Sequence, residues 1–461
     1  MEALTLAQLL QAVGGTLIGG EADLNQTVTE VCTDSRSVPQ GCLFLPLEGE
    51  RFDGHSFINS ALEQGAVGCI TARERESYLP GKFYIKVRST QRALRDLARY
   101  YKEMFHIPFV AVTGSVGKTT TKDMVAAVLG AKYKVLKTEG NFNNDIGLPL
   151  TLLRLDHTHQ ICVLEMGMDH AGEIERLARC ARPSAGIITK IGVSHLENLG
   201  SRENILKAKM EICSGLPDGA PLVLNADDDL LPTASVPARL RPVWFGIEQE
   251  ADVRACGIRT GAQGTEFTLE DREYGRFAVT LPTAGLHTVY DALAAYAAAT
   301  RLGLDPAACA AALARYQTTG MRQHIVERGG VTVIEDCYNA SPDSMKAALS
   351  VLKELPNRRK VALLGDMLEL GAASEEGHRQ AGEWAADAGV DLLIAYGPRS
   401  AATARAAGAR GVATVHCQNA QEVLQCLQQS VRPGDALLAK ASHAMALEEL
   451  LQDYYAGLPQ A

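Results

Sequence analysis

The stretch VAVTGSVGKTTTKDMVAAVL, residues 110–129, has an order of residues that is typical of a phosphate-binding loop. An apolar strand leads into a glycine-containing turn, and a helix is predicted to begin at Lys118. The backbone N–H groups of such a turn and of the helix N-terminus converge on one point, which favours an anion. The usual phosphate-loop template is G-x-x-x-x-G-K-[ST], but Val112 occupies the position of its first glycine. The stretch therefore predicts a nucleotide-phosphate site without indicating which reaction it serves.

Two side chains of this loop carry specific expectations. Lys118 is predicted to neutralise the β- and γ-phosphates of ATP, and the Thr119 hydroxyl to bind Mg²⁺. The alternative is a strand-to-helix turn that binds nothing, but the order of strand, glycines, lysine and threonine favours a nucleotide. The predicted ATP-binding residues of the loop are Thr113, Gly114, Ser115, Val116, Gly117, Lys118, Thr119 and Thr120.

The overall composition describes an ordinary globular protein. At 461 residues the chain predicts about three domains. Its net charge of −9 argues against general nucleic-acid binding, so any positive charge at a phosphate site must be local. The 11 cysteines are scattered without a C-x-x-C pair, which favours reduced thiols. Neither a signal peptide nor an apolar run of about 18 residues is evident, and we expect a cytoplasmic protein without membrane insertion.

The pattern along the chain predicts an α/β protein of three domains. Residues 1–84 combine a first helix with short strands, and residues 85–316 and 317–461 each alternate strands with helices. Such alternation predicts mostly parallel sheets with helices on both faces. The central domain then carries the phosphate loop on a parallel mononucleotide-binding sheet, and the C-terminal domain is Rossmann-like.

Two further candidates follow the next two predicted strands of the central domain. Glu165 ends the strand ICVLE, and His195 follows IITKIGVS. Because ligands of an open α/β sheet gather at the carboxyl ends of its strands, both side chains are expected to face the phosphates. A glutamate and a neutral imidazole can hold one or two Mg²⁺ ions there. The alternative is a capping glutamate and an ordinary loop histidine.

An ordered series of motifs resembles the Mur ligase family. In the central region these are GSVGKTTTKDM, TEGNFNNDIGLPLTLL (138–153), LEMGMDHAGEI (164–174) and SHLENLGSRENILKAKMEI (194–212). EDCYNASPDSMKAAL (335–349), LLGDMLELG (363–371) and AKASHAMALEEL (439–450) are similar to the branch that adds D-alanyl-D-alanine. Residues 33–68, which begin TDSRSVPQG, resemble the family's UDP-sugar domain.

This resemblance implies an ATP-dependent amide ligase of peptidoglycan precursor synthesis, acting as a monomer. The tripeptide carboxylate of UDP-N-acetylmuramoyl-tripeptide attacks the γ-phosphate of ATP to give an acyl phosphate. The amine of D-Ala-D-Ala then displaces phosphate. Because a carboxylate is a poor acyl donor at neutral pH, phosphorylation supplies the leaving group, and cations offset the meeting of anionic groups.

The resemblance also implies roles for individual residues. Lys209 matches a lysine that is carbamylated and helps to place a second metal; the alternative is a surface lysine, and Lys207 lies two residues away. Implied metal ligands are Thr119, Glu165 and His195, and the implied catalytic residues are Lys118, Glu165, His195 and Lys209. Further nucleotide contacts are Asp291, Arg322 and Asp336. Implied substrate contacts are Asp34, Ser35, Arg36, Glu50, Arg51 and Phe52, with Asn141, Asn143 and Asn144 in a second loop.

The chain departs from the family pattern at a few positions, and rivals stay open. Thr288 and Asp291 replace asparagines, Ala441 replaces a glycine and His443 an arginine. One rival is a sibling ligase that adds a diamino acid, but its D-N-P-R-type motif is not found. Folylpolyglutamate-type or cyanophycin-type ligases and a non-catalytic nucleotide-binding protein are others. A ligase of this type is also expected to close its third domain over the ATP.

Overall fold

The structure is a computed structural model that describes residues 1–19, 22–49, 52–261, 264–318, 322–355 and 359–458. Across these ranges, no helix combines the length and apolar character needed to cross a membrane. All 11 cysteines lie within them as free thiols, most of them buried. The described elements form separate sheets that follow one another along the chain.

The first part of the chain folds around a small mixed sheet. The strands of this part are β1 Leu4–Thr5, β2 Thr16–Ile18, β3 Thr27–Val28, β4 Val31–Cys32, β5 Leu43–Phe44, β6 Gly68–Thr71 and β7 Phe83–Lys86, and its helices are α1 Leu6–Val13 and α2 Ile58–Gln64. Helix α3 Thr90–Lys102 follows β7 and leads into the central part. The sheet order is β2-β7-β6-β5-β4, and β1 pairs with β3. Thr5 and Gln8 form a capping box at the start of α1.

The central sheet is parallel where the alternation predicts it. Its strands are β8 Phe109–Thr113, β9 Val135–Lys137, β10 Ile161–Glu165, β11 Ala185–Ile188, β12 Pro221–Asn225, β13 Arg241–Gly246, β14 Val253–Gly261, β15 Gly264–Asp271 and β16 Gly275–Leu281. The order is β16-β15-β14-β13-β12-β11-β8-β10-β9. β8 therefore lies between β11 and β10, parallel to both. At the far edge, β14 to β16 form an antiparallel extension. The sequence predicted strands that alternate with helices, and it did not predict this extension because antiparallel hairpins need no crossover helix.

Helices cover both faces of this sheet. They are α4 Lys118–Gly130, α5 Gly147–Leu152, α6 Glu173–Ala181, α7 Leu196–Leu199, α8 Arg202–Met210, α9 Leu286–Arg301 and α10 Pro306–Ala312. α4 and α9 pack against each other on one face. On the other face, α3 and α6 pack in a core shared with the first sheet.

The C-terminal part is a second α/β layer with the predicted Rossmann-like character. Its strands are β17 His324–Arg328, β18 Val331–Glu335, β19 Lys360–Gly365, β20 Leu392–Tyr396, β21 Ala413–Cys417 and β22 Ala436–Lys440. Its helices are α11 Pro342–Glu354, α12 Ser374–Asp387, α13 Ala401–Ala409, α14 Ala420–Ser430 and α15 Leu447–Ala456. The order is β17-β18-β22-β19-β20-β21, parallel except for β17.

The division into domains at 84/85 and 316/317 stays a prediction, with one adjustment. β7 continues to Lys86, two residues past the first predicted limit. We therefore propose to move that boundary into the link before α3, which begins at Thr90. The second predicted boundary lies just before residues 319–321, which fall outside the described ranges.

Candidate active site

The loop after β8 has the geometry of an anion cradle. Gly114 and Gly117 adopt φ values of 151° and 82°, in the region that glycine favours. A Cβ on Gly114 would lie 1.9 Å from Thr189 Oγ1, so any larger residue would disrupt this close approach. Ser115 Oγ is buried without a hydrogen-bond partner. A buried polar group of this kind is costly unless a ligand satisfies it, which favours an oxyanion at the loop.

Lys118 folds back over the loop that it follows. Its Nζ donates to the carbonyls of Gly114 at 2.9 Å and Ser115 at 3.3 Å. Burial lowers the pKa of this lysine, and the nearby Glu165 carboxylate opposes the shift. A bound phosphate would therefore stabilise the charged form of Lys118. Residues 115–120 line the adjacent cavity, whereas Thr113 and Gly114 do not.

Glu165 joins the loop to the next strand. It is 2% exposed, and its Oε2 accepts a hydrogen bond from the Thr119 hydroxyl at 2.8 Å. Its Oε1 accepts from Asn143 Nδ2 at 2.9 Å. Thr119, Glu165 and Asn143 thus converge, although 46 residues separate the first two along the chain. These oxygen donors are of the kind that Mg²⁺ prefers.

His195 lies at the same end of the sheet in an unusual backbone conformation. Its φ is 62°, in the left-handed region. Its Nδ1 is 3.1 Å from Asp169 Oδ1 and 3.2 Å from Glu369 Oε2. Both distances are within hydrogen-bonding range, yet neither carboxylate is aligned for a good hydrogen bond with the buried Nδ1. His195 and Asp169 line the cavity that Thr119 and Glu165 also face.

Lys209 is the least solvated charged residue of the region. It is 0% exposed, and its Nζ has no hydrogen-bond partner. Burial, with a smaller contribution from the Lys118 charge, holds its pKa well below the ordinary value. Lys207, by contrast, is exposed on the same helix. The burial of Lys209 separates the two candidates that the sequence left adjacent.

The third domain supplies the opposite wall of the cavity. Asp336 is buried and accepts a hydrogen bond from Lys440 Nζ at 2.7 Å. The Arg322 guanidinium lies 3.9 Å from the centroid of the Tyr338 ring, a cation–π contact. All four residues line the cavity, whose volume is about 670 Å³. The predicted nucleotide contacts of the third domain therefore face the phosphate loop.

Asp291 lies beneath the phosphate loop. It is 6% exposed and accepts a hydrogen bond from the Thr121 hydroxyl at 2.7 Å. Burial raises the pKa of its carboxyl to about 7. The residue lines the cavity, and a Cβ on Gly117 would lie 2.7 Å from its Oδ1. Its described contacts are with the loop and α4.

The other departures from the family pattern have local roles. The Thr288 hydroxyl donates to the Gly285 carbonyl at 2.8 Å, within the first turn of α9. Ala441 is buried against Gly365, where a second Cβ would lie 2.6 Å from its own. His443 is exposed, with its ring 5.5 Å from that of Tyr338.

The three predicted asparagines of the second loop have different surroundings. Asn141 and Asn143 line the cavity. Asn144 does not; its Oδ1 accepts the N–H groups of Ile146 at 3.1 Å and Gly147 at 2.9 Å. These bonds occupy the Asn144 side-chain oxygen with the start of α5, which is a structural role.

The described residues of the predicted UDP-sugar site are not among those that line this cavity. Arg36 forms a bidentate pair with Asp34, with Nε–Oδ1 at 2.9 Å and Nη2–Oδ2 at 2.7 Å. The hydrogen bonds from Arg36 hold the pKa of Asp34 down at about 2. Ser35 is partly exposed and Phe52 is 62% exposed. Glu50 and Arg51 lie outside the described residues.

Sequence reasoning did not single out several residues that complete the site. These are Asp169, Glu369, Lys440 and the ion pair of Lys190 Nζ with Asp343 Oδ1 at 2.8 Å. Lys190 and Lys440 lie near or at the carboxyl ends of parallel strands, where the rule applied to Glu165 could have found them. Glu369 depends on contact between domains, for which sequence spacing holds no signal.

The fold and the cavity together define a nucleotide-binding ligase architecture, and the chain belongs to the Mur ligase family. Residues 112–299 match the Mur ligase middle domain, residues 321–443 the Mur ligase glutamate ligase domain, and residues 27–102 the catalytic domain of the Mur ligase family. The resemblance inferred from the motifs is thereby confirmed.

Relatives of one particular branch match nearly the whole chain. The chain is 39% identical to the UDP-N-acetylmuramoyl-tripeptide–D-alanyl-D-alanine ligase of Bacillus subtilis (strain 168), over 97% of this chain and 98% of the relative. A crystal structure of MurF from Acinetobacter baumannii superposes with a TM-score of 0.91 at 32% identity, covering 99% of both chains. The MurF ligase of Thermotoga maritima, in complex with ADP, superposes with a TM-score of 0.81 at 30% identity, covering 93% of this chain and 97% of that one.

Proposed function

We propose that this chain is an ATP-dependent amide ligase that joins D-Ala-D-Ala to UDP-N-acetylmuramoyl-tripeptide in peptidoglycan precursor synthesis. The observation that carries the proposal is the cavity between the central and third domains. It brings the phosphate loop, Glu165 and His195 opposite Arg322 and Asp336. Relatives that match nearly the whole chain are UDP-N-acetylmuramoyl-tripeptide–D-alanyl-D-alanine ligases, which supports the choice of substrates. We further propose a cytoplasmic monomer.

The loop binds the β- and γ-phosphates of ATP through its backbone N–H groups, Ser115 and Lys118. The orphaned Ser115 hydroxyl and the partly desolvated Lys118 support this role. Their positive and donor groups offset the repulsion between the γ-phosphate and the substrate carboxylate that attacks it. The attack forms a bond between a carboxylate oxygen and the γ-phosphorus and breaks the bond from that phosphorus to the β–γ bridging oxygen, which leaves with ADP.

Thr119, Glu165 and His195 hold Mg²⁺ in this proposal. The donor set fits, because the Thr119 hydroxyl contacts the Glu165 carboxylate and the His195 imidazole lines the same cavity. When bound, Mg²⁺ supplies positive charge that lowers the cost of bringing anions together. Asn143 orients the Glu165 carboxylate from its other oxygen.

Lys209 serves as a carbamate. A neutral amine reacts with CO₂ to form a carbamate and release one proton, and burial keeps this amine neutral more readily than an exposed one. The product replaces an orphaned amine with a carboxylate beside Lys118, an arrangement suited to a second cation. In a Lys209→Ala variant, short exogenous carboxylates are expected to take the place of the carbamate.

The second half of the reaction takes place against the third domain. The neutral amine of D-Ala-D-Ala attacks the acyl carbon and forms the C–N bond. Phosphate leaves with the electron pair of the broken C–O bond, and the nitrogen releases one proton as the amide forms. Closure of the third domain excludes water from the acyl phosphate, which would otherwise hydrolyse. The UDP-sugar is held on the first domain by residues 34–36, Phe52 and the neighbouring Glu50 and Arg51.

A substrate panel tests the proposal. Purified protein with ATP and Mg²⁺ should release phosphate only when UDP-N-acetylmuramoyl-tripeptide and D-Ala-D-Ala are both present. Omission of either substrate is the matched control. Equal turnover of the dipeptide precursor with free lysine or diaminopimelate would instead assign the chain to the sibling branch. Phosphate release without any acceptor would indicate a hydrolase.

A further inference from the structure

Two carboxylates from different domains meet at one nitrogen of His195. Asp169 follows β10 in the central domain, and Glu369 follows β19 in the third domain. Their oxygens lie 3.1 Å and 3.2 Å from His195 Nδ1. A neutral imidazole that donates from Nδ1 has one N–H there and can satisfy only one of them well, which leaves Nε2 as an acceptor for a metal.

The backbone around this contact is held in sparsely populated conformations. His195 has φ 62° and Glu369 has φ 66°, both unusual for residues with a side chain. Such strain persists only where the surrounding structure holds it, and it concentrates at functional sites. Here the two strained residues face each other across the domain boundary.

The segment around Glu369 is seated against the segment around His195. A Cβ on Gly371 would lie 3.2 Å from Glu197 Cβ, so the two segments approach closely. Val193, two residues before His195, packs against the apolar core of the third domain. The position of Glu369 therefore depends on docking of the third domain.

We propose that Glu369 is a positioning residue that orients His195 for metal binding only when the third domain is docked. This inference rests on the proposed function. In an undocked chain, Asp169 alone lies beside Nδ1; docking brings Glu369 to the same nitrogen and settles the ring orientation. Carboxylates on the second nitrogen of a metal-binding histidine fix its ring and raise its basicity, and their loss typically weakens metal binding about 10- to 100-fold. The device links domain closure to assembly of the metal site.

Binding of Mn²⁺ in the presence of ADP, followed by the electron paramagnetic resonance of free Mn²⁺, tests the inference without turnover. Glu369→Ala should weaken Mn²⁺ binding about tenfold or more. Glu369→Gln should retain most of the affinity, because its amide oxygen still accepts from Nδ1–H. The matched control is Glu376→Ala, an exposed third-domain glutamate paired with Arg379.

A further variant separates positioning from folding. Glu369→Gly removes the carboxylate but relieves the positive φ, so it should melt at or above the wild-type temperature while binding Mn²⁺ as weakly as Glu369→Ala. Asp169→Asn should weaken Mn²⁺ less than Glu369→Ala does. Equal Mn²⁺ binding by wild type and Glu369→Ala, or a Gln variant as weak as the Ala variant, would overturn the inference alone. A wild-type protein that binds no Mn²⁺ would overturn the proposed metal site as well.

Discussion

The phosphate loop region and the first-domain segment 34–36 are both predicted to bind anionic substrates, yet they differ in the burial and pairing of their polar groups. Ser115 Oγ and Lys209 Nζ are buried without partners. Asp34 and Arg36 lie near or at the surface and satisfy each other in a bidentate pair. One region is desolvated before any ligand arrives, and the other is already paired and hydrated.

The difference indicates which region lowers the stability of the folded chain in exchange for ligand binding. Burying unsatisfied polar groups costs stability, and a ligand that satisfies them recovers that cost on binding. An exposed ion pair contributes little, so a ligand can replace it with little gain or loss. We infer that the central region governs the chemical step, whereas the first domain governs only how well one substrate is held.

Lys118→Ala should have the largest effect on activity among the variants that test this difference between the two regions. The variant should lose at least about 10³-fold in phosphate release, because the charge that meets the γ-phosphate is gone. Binding of the UDP-substrate should persist on the first domain, as measured by calorimetry. Lys132→Ala, exposed beyond the far end of the same helix, is the matched control. Loss of UDP-substrate binding together with an unfolded circular dichroism spectrum would make Lys118 structural instead.

Lys209→Ala should have the next largest effect. We expect a loss of about 10²-fold in turnover, partly restored by acetate or formate that takes the place of the carbamate. Lys207→Ala, two residues away and exposed, should be unaffected. Full activity of the unrescued Lys209 variant would contradict the carbamate, and a mass increase matching CO₂ on the intact protein would support it directly.

Asp291→Asn tests the cost of a buried carboxyl in the central region, measured as the free energy of unfolding. Burial raises the pKa of Asp291 to about 7, while the unfolded carboxyl titrates near 3.9. Between these values the unfolded state releases a proton that the folded state keeps, so wild-type stability falls as pH rises from about 4 to 7 and then levels off. The variant lacks this loss, so its advantage in unfolding free energy over wild type should grow by up to about 4 kcal/mol between about pH 4 and pH 7. Urea melts of both proteins at several pH values would measure it, and parallel curves would contradict it.

Arg36→Ala should have the smallest effect. Loss of one charge-assisted contact should raise the KM for UDP-N-acetylmuramoyl-tripeptide about tenfold. The KM for ATP and the kcat should stay unchanged, because this residue lies away from the cavity. Arg92→Ala, exposed on α3, serves as the control. A fall in kcat of the same size would show that the two regions are not separable in this way.

Much of the fold follows from local patterns that the sequence displays. The alternation of strands and helices predicted the parallel sheets, and the loop at 113–119 lies where strand and helix spacing placed it. The antiparallel extension from β14 to β16 was missed although its strands have 9, 8 and 7 residues. The prediction followed the alternation of strands with helices, and these three strands follow one another without a helix between them. The predicted Asn141, Asn143 and Asn144 looked equivalent in sequence, but contacts with Glu165 and with α5 divide their roles.

The sequence by itself determined the phosphate loop, the metal-binding candidates and the family, because these depend on residue type and on spacing over a few turns of chain. Only the tertiary structure decided that Lys209 and not Lys207 is buried, that Asp291 lies beneath the loop 170 residues away from Thr121, and that Glu369 reaches His195. The reason is physical. Desolvation and close packing between distant segments set these properties, and neither is encoded in the spacing of any single motif.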